Sequence, residues 1–137
     1  MEANLVRAEL AEGLAATGEL ERTLSTVREA IGRAERSEEG WCLAELRRKE
    51  GELLLLTGAS SARGDAERSF RQAVQLARRQ GALSWELRAA TSLARLYHRQ
   101  DRPVQARKTL APVVRRFTEG FRTADLVSAN VLLRSLR

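Results

Sequence analysis

The chain has 137 residues, enough for one ordinary domain, and 43% of them are hydrophobic with only six aromatics, so its core must be mostly Leu, Ala and Val. A single cysteine, Cys42, excludes an internal disulfide framework and suits a reducing cytoplasm. No basic leader precedes an apolar run, and no apolar run is longer than the four residues 53–56, far short of the roughly 20 that a bilayer span needs, so a soluble cytoplasmic protein without membrane contact is expected.

The net charge of +6 is unevenly spread: residues 1–50 hold 8 basic and 11 acidic side chains, whereas residues 88–137 hold 11 and 3. Such asymmetry can mark an acidic or nucleic-acid partner. However, 22 of the 24 basic residues are Arg, a bias that a GC-rich genome produces without selection for binding.

Taken in order, the apolar periodicity predicts helices near 3–17 and 20–36, then 39–57 and 65–80, then 83–100 and 103–118, with a seventh near 123–136. The second helix of each pair carries one pattern three times. Thr23, Val27, Ala30, Ile31 and Ala34 fall at i, i+4, i+7, i+8 and i+11; Ala66, Phe70, Ala73, Val74 and Ala77 repeat this spacing, as do Ala106, Leu110, Val113, Val114 and Phe117. The shifts are 43 and 40 residues, and the spacing places five small or apolar side chains on one helical stripe.

The first helices agree. Ala11 and Leu14 correspond to Gly51 and Leu54, then to Ala94 and Tyr97: a small residue that lets a neighbouring helix approach, followed by a large one that fills the gap beside it. Four residues later come the expected turn residues Gly18, Gly58 and Asp101, suited to leaving a helix through a left-handed conformation. Three extra residues within 59–65 account for the difference between the two shifts. Pro103 fits a first helical turn, Pro112 predicts a kink or local break, and Thr123 before Ala-Asp reads as an N-cap.

This small-then-large spacing, with its turn glycine and second-helix alanine pattern, resembles the tetratricopeptide repeat (TPR), although the consensus Trp and Pro are missing and the period exceeds the usual 34. Helices longer by about one turn would account for the period, as in the extended repeats of large bacterial signalling ATPases. The segments ELRAATSLARL (86–96), LAPVVRRFTEGF (110–121) and TADLVSANVLL (123–133) resemble the C-terminal repeat region of bacterial proteins that combine an adenylate/guanylate cyclase or winged-helix domain with a predicted ATPase. The resemblance implies an all-α, right-handed TPR-like solenoid: one domain over 1–137, with three helical hairpins near 3–36, 39–80 and 83–118 and a capping helix near 123–136. It implies a non-catalytic interaction, scaffold or regulatory module, either alone or as the C-terminal part of a signalling protein. The catalytic motifs of such proteins lie in other domains, so no catalytic residue is carried over.

The residues themselves point the same way. The stretch 58–64, GASSARG, lacks the spacing and the Lys of a phosphate-binding P-loop and reads as a loop. One histidine, His98, and one cysteine are too few soft ligands for a zinc site, and no nucleophile elbow accompanies the histidine, so neither metal, cofactor nor catalysis is expected. The carboxylate pairs Glu38-Glu39 and Glu50/Glu52 sit among arginines and read as surface ion pairs. Among the arginines of the basic third, Tyr97 is the one aromatic before Phe117, which speaks against single-stranded nucleic acid as partner.

What remains is a groove lined by the first helices of the hairpins. Its exposed positions would be Ala8, Glu12 and Ala15, then Arg48, Glu52 and Leu55, then Thr91, Arg95 and His98, suiting an extended protein segment or partner helix of some acidic character. The competing expectation is that these charges pair with one another across neighbouring helices. The early apolar residues Leu5, Leu10 and Leu14 would also favour self-association through the N-terminal helix.

Overall fold

A computed structural model describes residues 17–37 and 40–136. Among them are six α-helices and no strand: α1 (Thr17–Arg36), α2 (Leu43–Leu56), α3 (Ala62–Arg79), α4 (Leu83–Arg99), α5 (Pro103–Val114) and α6 (Ala124–Ser135), with one 3₁₀ turn at Gly40–Cys42 before α2. No helix among the described residues is long and apolar enough to cross a membrane. The expected helix 3–17 and the groove positions Ala8, Glu12 and Ala15 lie outside the described residues, as do Leu5, Leu10, Leu14 and Glu38-Glu39.

Each helix packs on the next, and α2 meets α4 as α4 meets α6. Side-chain pairs fix the directions. Glu35 pairs with Arg47 and Arg28 with Glu50, so α1 and α2 run antiparallel. Arg78 meets Glu86 at one end of α3 and α4, while Arg71 and Glu67 meet Tyr97 at the other, so these two are antiparallel as well. Glu45 and Glu52 of α2 reach Arg88 and Ser92 of α4 in the same order, which makes α2 and α4 parallel.

The repeated stripe is the buried stripe. All five of its members in α3 are in the core: Ala66, Phe70, Ala73 and Ala77 have no exposed surface and Val74 retains 9%. In the third copy Ala106, Leu110 and Val113 are buried, with Val114 and Phe117 packed against the core. In α1 the core is instead supplied mainly by Leu20, Leu24, Ile31 and Ala34, with Thr23, Val27 and Ala30 half-buried.

Gly51 shows why a small residue is needed in α2. A Cβ there would lie 2.5 Å from Cε1 of Phe70, whose ring is wholly enclosed. Ala94, at the corresponding place in α4, is also fully buried, and Tyr97 three residues on is among the largest buried side chains.

Two of the three turn residues are left-handed, Gly58 with φ +70° and Asp101 with φ +59°. Gly18 is not a turn: α1 starts one residue before it. The stretch 58–64 is a loop only in its first half, since α3 begins at Ala62 and includes Gly64. Pro112 sits in the last turn of α5, which ends at Val114, not near 118. Its missing N–H weakens the ladder there, and the chain winds on through single turns, Arg116 N–H to Val113 O and Phe117 N–H to Val114 O, which keep Phe117 at the core. Thr123 caps α6 as expected, its Oγ1 accepting from Leu126 N–H.

Replacing Gly51 by Ala should overpack the Phe70 contact by about 1–3 kcal/mol, partly offset by the roughly 1 kcal/mol that Ala gains as a helix former. Denaturant unfolding should show a net loss of stability that a Phe70→Leu background reduces. Equal effects in both backgrounds would contradict the close approach.

Candidate interaction surface

The parallel helices α2, α4 and α6 share one face of the molecule, and its upper half is a continuous polar network. Arg48 donates from Nε and Nη2 to the two carboxylate oxygens of Glu45, both at 2.9 Å, and its Nη1 lies 3.8 Å from Glu52 Oε2. Arg88, in the middle helix, donates to Glu45 Oε2 at 3.2 Å on one side and to Asp125 Oδ2 at 2.9 Å on the other. Ser92 Oγ donates to Glu52 Oε2 at 2.8 Å. Burial by itself would raise the Glu45 carboxyl, but the Arg48 hydrogen bond and the charges of Arg48, Arg88 and Lys49 outweigh it and hold the group below its ordinary 4.5.

The sequence-derived groove therefore divides. Arg48 and Thr91 are not exposed: Arg48 is drawn down by Glu45 and Glu52, and Thr91 Oγ1 turns back to donate to Leu87 O within α4. Glu52 and Leu55 are half-buried, Glu52 being held by Arg48 and Ser92. Arg95 and His98 are exposed. Cross-helix pairing thus accounts for the upper part of this face. Below it, Arg95 and Arg99 continue the α4 stripe begun by Arg88, at i+7 and i+11, and have no acidic partner among the described residues.

Other arginines of the basic third are already engaged. Arg116 is bound to Glu86, Arg107 donates to Leu136 O, and Arg102 lies over the Tyr97 ring at 4.6 Å from its centre. Tyr97, the one aromatic among these arginines, is buried, its hydroxyl accepting from Arg71 and donating to Glu67, so it offers no stacking platform.

Three features escaped the sequence reading. Glu86 has no exposed surface and binds Arg78 at 3.0 Å and Arg116 at 2.8 Å. Glu50, read as part of a surface pair, is buried and shared among Arg28, Arg47 and Ser69. The correction has a simple cause: Glu50 lies beside Gly51 on the face that α1 and α3 cover. Finally, Trp41 and Trp85 stack with ring centres 5.7 Å apart and planes inclined by 23°. Their separation of 44 residues is close to the repeat shift, so two tryptophans at matching helix starts were a readable clue.

No protein-family model, curated protein or solved structure matches the chain. Among the described residues no cluster of three or more His, Cys, Asp and Glu is placed to hold a metal ion, and no buried side-chain polar atom lacks a partner. The arrangement is suited to charge-guided contact along α4, with the paired upper network acting as a fixed edge.

Because the folded Glu45 carboxyl lies below its ordinary value, its contribution to stability is present above pH 4.5 and is lost as the pH falls through the folded value. Glu45→Gln should therefore be less stable than the parent at pH 7, by about 1–3 kcal/mol, and the gap should narrow on acidification. Thermal melts across the acid range would test this; a gap independent of pH would refute it.

Proposed function

We propose that the chain is a non-catalytic protein-interaction or regulatory module, built as a right-handed TPR-like solenoid in which α6 acts as the cap, and that it holds an extended acidic segment of a partner along the lower half of α4. The packing of each helix on the next, with α2, α4 and α6 in turn, supports the helical-hairpin reading. The observation that carries the functional reading is the contrast on one stripe of α4: Arg88 has carboxylates on both sides, whereas Arg95 and Arg99 have none among the described residues and stand exposed beside His98. A carboxylate-bearing segment lying there would continue the pairing that Arg88 already makes within the fold. The resemblance of residues 86–133 to the C-terminal repeats of bacterial cyclase and ATPase proteins fits a role in signalling.

Polyanion binding is the second reading, favoured by the same unpaired arginines. Fluorescence anisotropy with an acidic peptide and with a single-stranded oligonucleotide separates the two. Peptide binding that Arg95→Glu weakens by about tenfold or more, with Arg48→Ala acting through lost stability instead, is the expected result. Tighter binding of the oligonucleotide, with a steep fall as salt rises, would favour the second reading. No effect of Arg95→Glu on either ligand would refute both.

A further inference from the structure

An arginine precedes a hydroxyl by three residues at three places in the sequence: Arg22 and Ser25, Arg88 and Thr91, Arg115 and Thr118. Charge patterns of this kind are one means by which protein kinases select their acceptors. The fold separates the three. An acceptor must be drawn into another protein's cleft, which exposed loops allow and helix interiors do not. Ser25 is exposed but lies inside α1. Thr91 is buried in α4 and donates to Leu87 O. Thr118 is exposed and lies between α5 and α6, two residues before Gly120 with its φ of +72°. Among the described residues, the N–H groups of 118–122 make no backbone hydrogen bond. Arg115 is exposed, and a second arginine, Arg116, stands half exposed between it and Thr118.

We propose that Thr118 is a phosphorylation site and that its phosphate draws Arg116 away from Glu86. A protein kinase transfers the γ-phosphoryl group of a nucleoside triphosphate to Thr118 Oγ1. The Oγ1–P bond forms as the bond from that phosphorus to the β-phosphate oxygen breaks. The nucleoside diphosphate leaves, and the hydroxyl proton passes to the basic group of the kinase. The product carries nearly two negative charges and three acceptor oxygens. It stands two residues from Arg116, with which Thr118 lines one cavity of about 360 Å³.

At equal distance a dianion attracts a guanidinium about twice as strongly as the single charge of Glu86. The Arg116 guanidinium is already half in water, so leaving Glu86 costs it no further desolvation. Glu86 keeps Arg78 at 3.0 Å, so its buried charge is not left alone. What is lost is the tie between the chain after Val114 and the start of α4. Phosphorylation thus loosens one end of the helical array, a regulation that does not rest on the acidic-segment reading.

The full chain, incubated with magnesium ATP and an arginine-directed serine/threonine kinase, should gain one phosphoryl group, which tandem mass spectrometry should place on Thr118. Thr118→Val should gain none. Arg115→Gln should be modified about tenfold or more slowly, for loss of a charge-assisted contact to the kinase. The phosphorylated chain should melt at a lower temperature than the parent and change its tryptophan emission, since Trp85 adjoins Glu86. Arg116→Gln should melt lower from the start and fall no further on phosphorylation, because the two changes remove the same contact. Arg95→Glu should be phosphorylated at the parent rate, so failure of the acidic-segment reading would leave this result standing. Three outcomes would overturn the proposal: no transfer, transfer chiefly to Ser25 or Thr91, or a phosphate on Thr118 that leaves melting and emission unchanged.

Discussion

Both carboxylate oxygens of Glu86 are taken by arginines from other parts of the chain, Arg78 at the end of α3 and Arg116 just beyond α5. The carboxylate is fully buried, whereas the two guanidinium groups are half or more exposed. That division matters energetically: only one ion loses its water, and it gains two charge-assisted hydrogen bonds in return. The clamp closes three segments on one point at the start of α4. It fixes where the chain must turn after Gln80, and it holds the chain after Val114 close to α4 once Pro112 has weakened the end of α5. Trp85 is the neighbour of Glu86, so the same clamp anchors the ring against which Trp41 stacks.

A second constraint acts at the other end of α4. Tyr97 is buried with its hydroxyl between Arg71 and Glu67 and its ring beneath Arg102, which joins α3 to α4 and the entry of α5. Near the middle of α3, the Phe70 ring fills the space that Gly51 leaves open on α2. The fold is therefore held by apolar close approach in the middle of the helices, where Glu50 is also shared among Arg28, Arg47 and Ser69, and by shared charges at both ends of α4. The uneven charge of the sequence follows in part from this: Arg88, Arg102, Arg107 and Arg116 are structural, and the surface surplus is smaller than the count of 11 basic residues over 88–137 suggests.

Much of this was legible in one dimension. The stripe Ala66, Phe70, Ala73, Val74 and Ala77 is read from helical period alone because burial of a stripe is a property of one helix. Asp101 was identifiable as a left-handed turn residue from its offset to Tyr97, a local relation too. Arg48, Thr91, Glu50 and Glu86 were not legible, because their burial depends on what another helix places opposite them. A sequence gives no direct sign that Glu45 will draw Arg48 inward or that Arg78 and Arg116 will meet at one carboxylate. Gly18 failed although its spacing matched Gly58, since it lies within α1 rather than at a turn.

The geometry of α4 also decides how its two surfaces relate. Residues 85 and 95 are ten apart, about 15 Å along the helix axis, a span that roughly five residues of extended peptide would cover. At about 100° per residue, however, the two positions point in directions roughly 80° apart around the axis. A straight segment laid along the Arg88–Arg95–Arg99 stripe therefore runs past the side of the helix that carries Trp85 without crossing it. The exposed Arg95 and Arg99 and the tryptophan pair therefore stand on two separate sides of one helix.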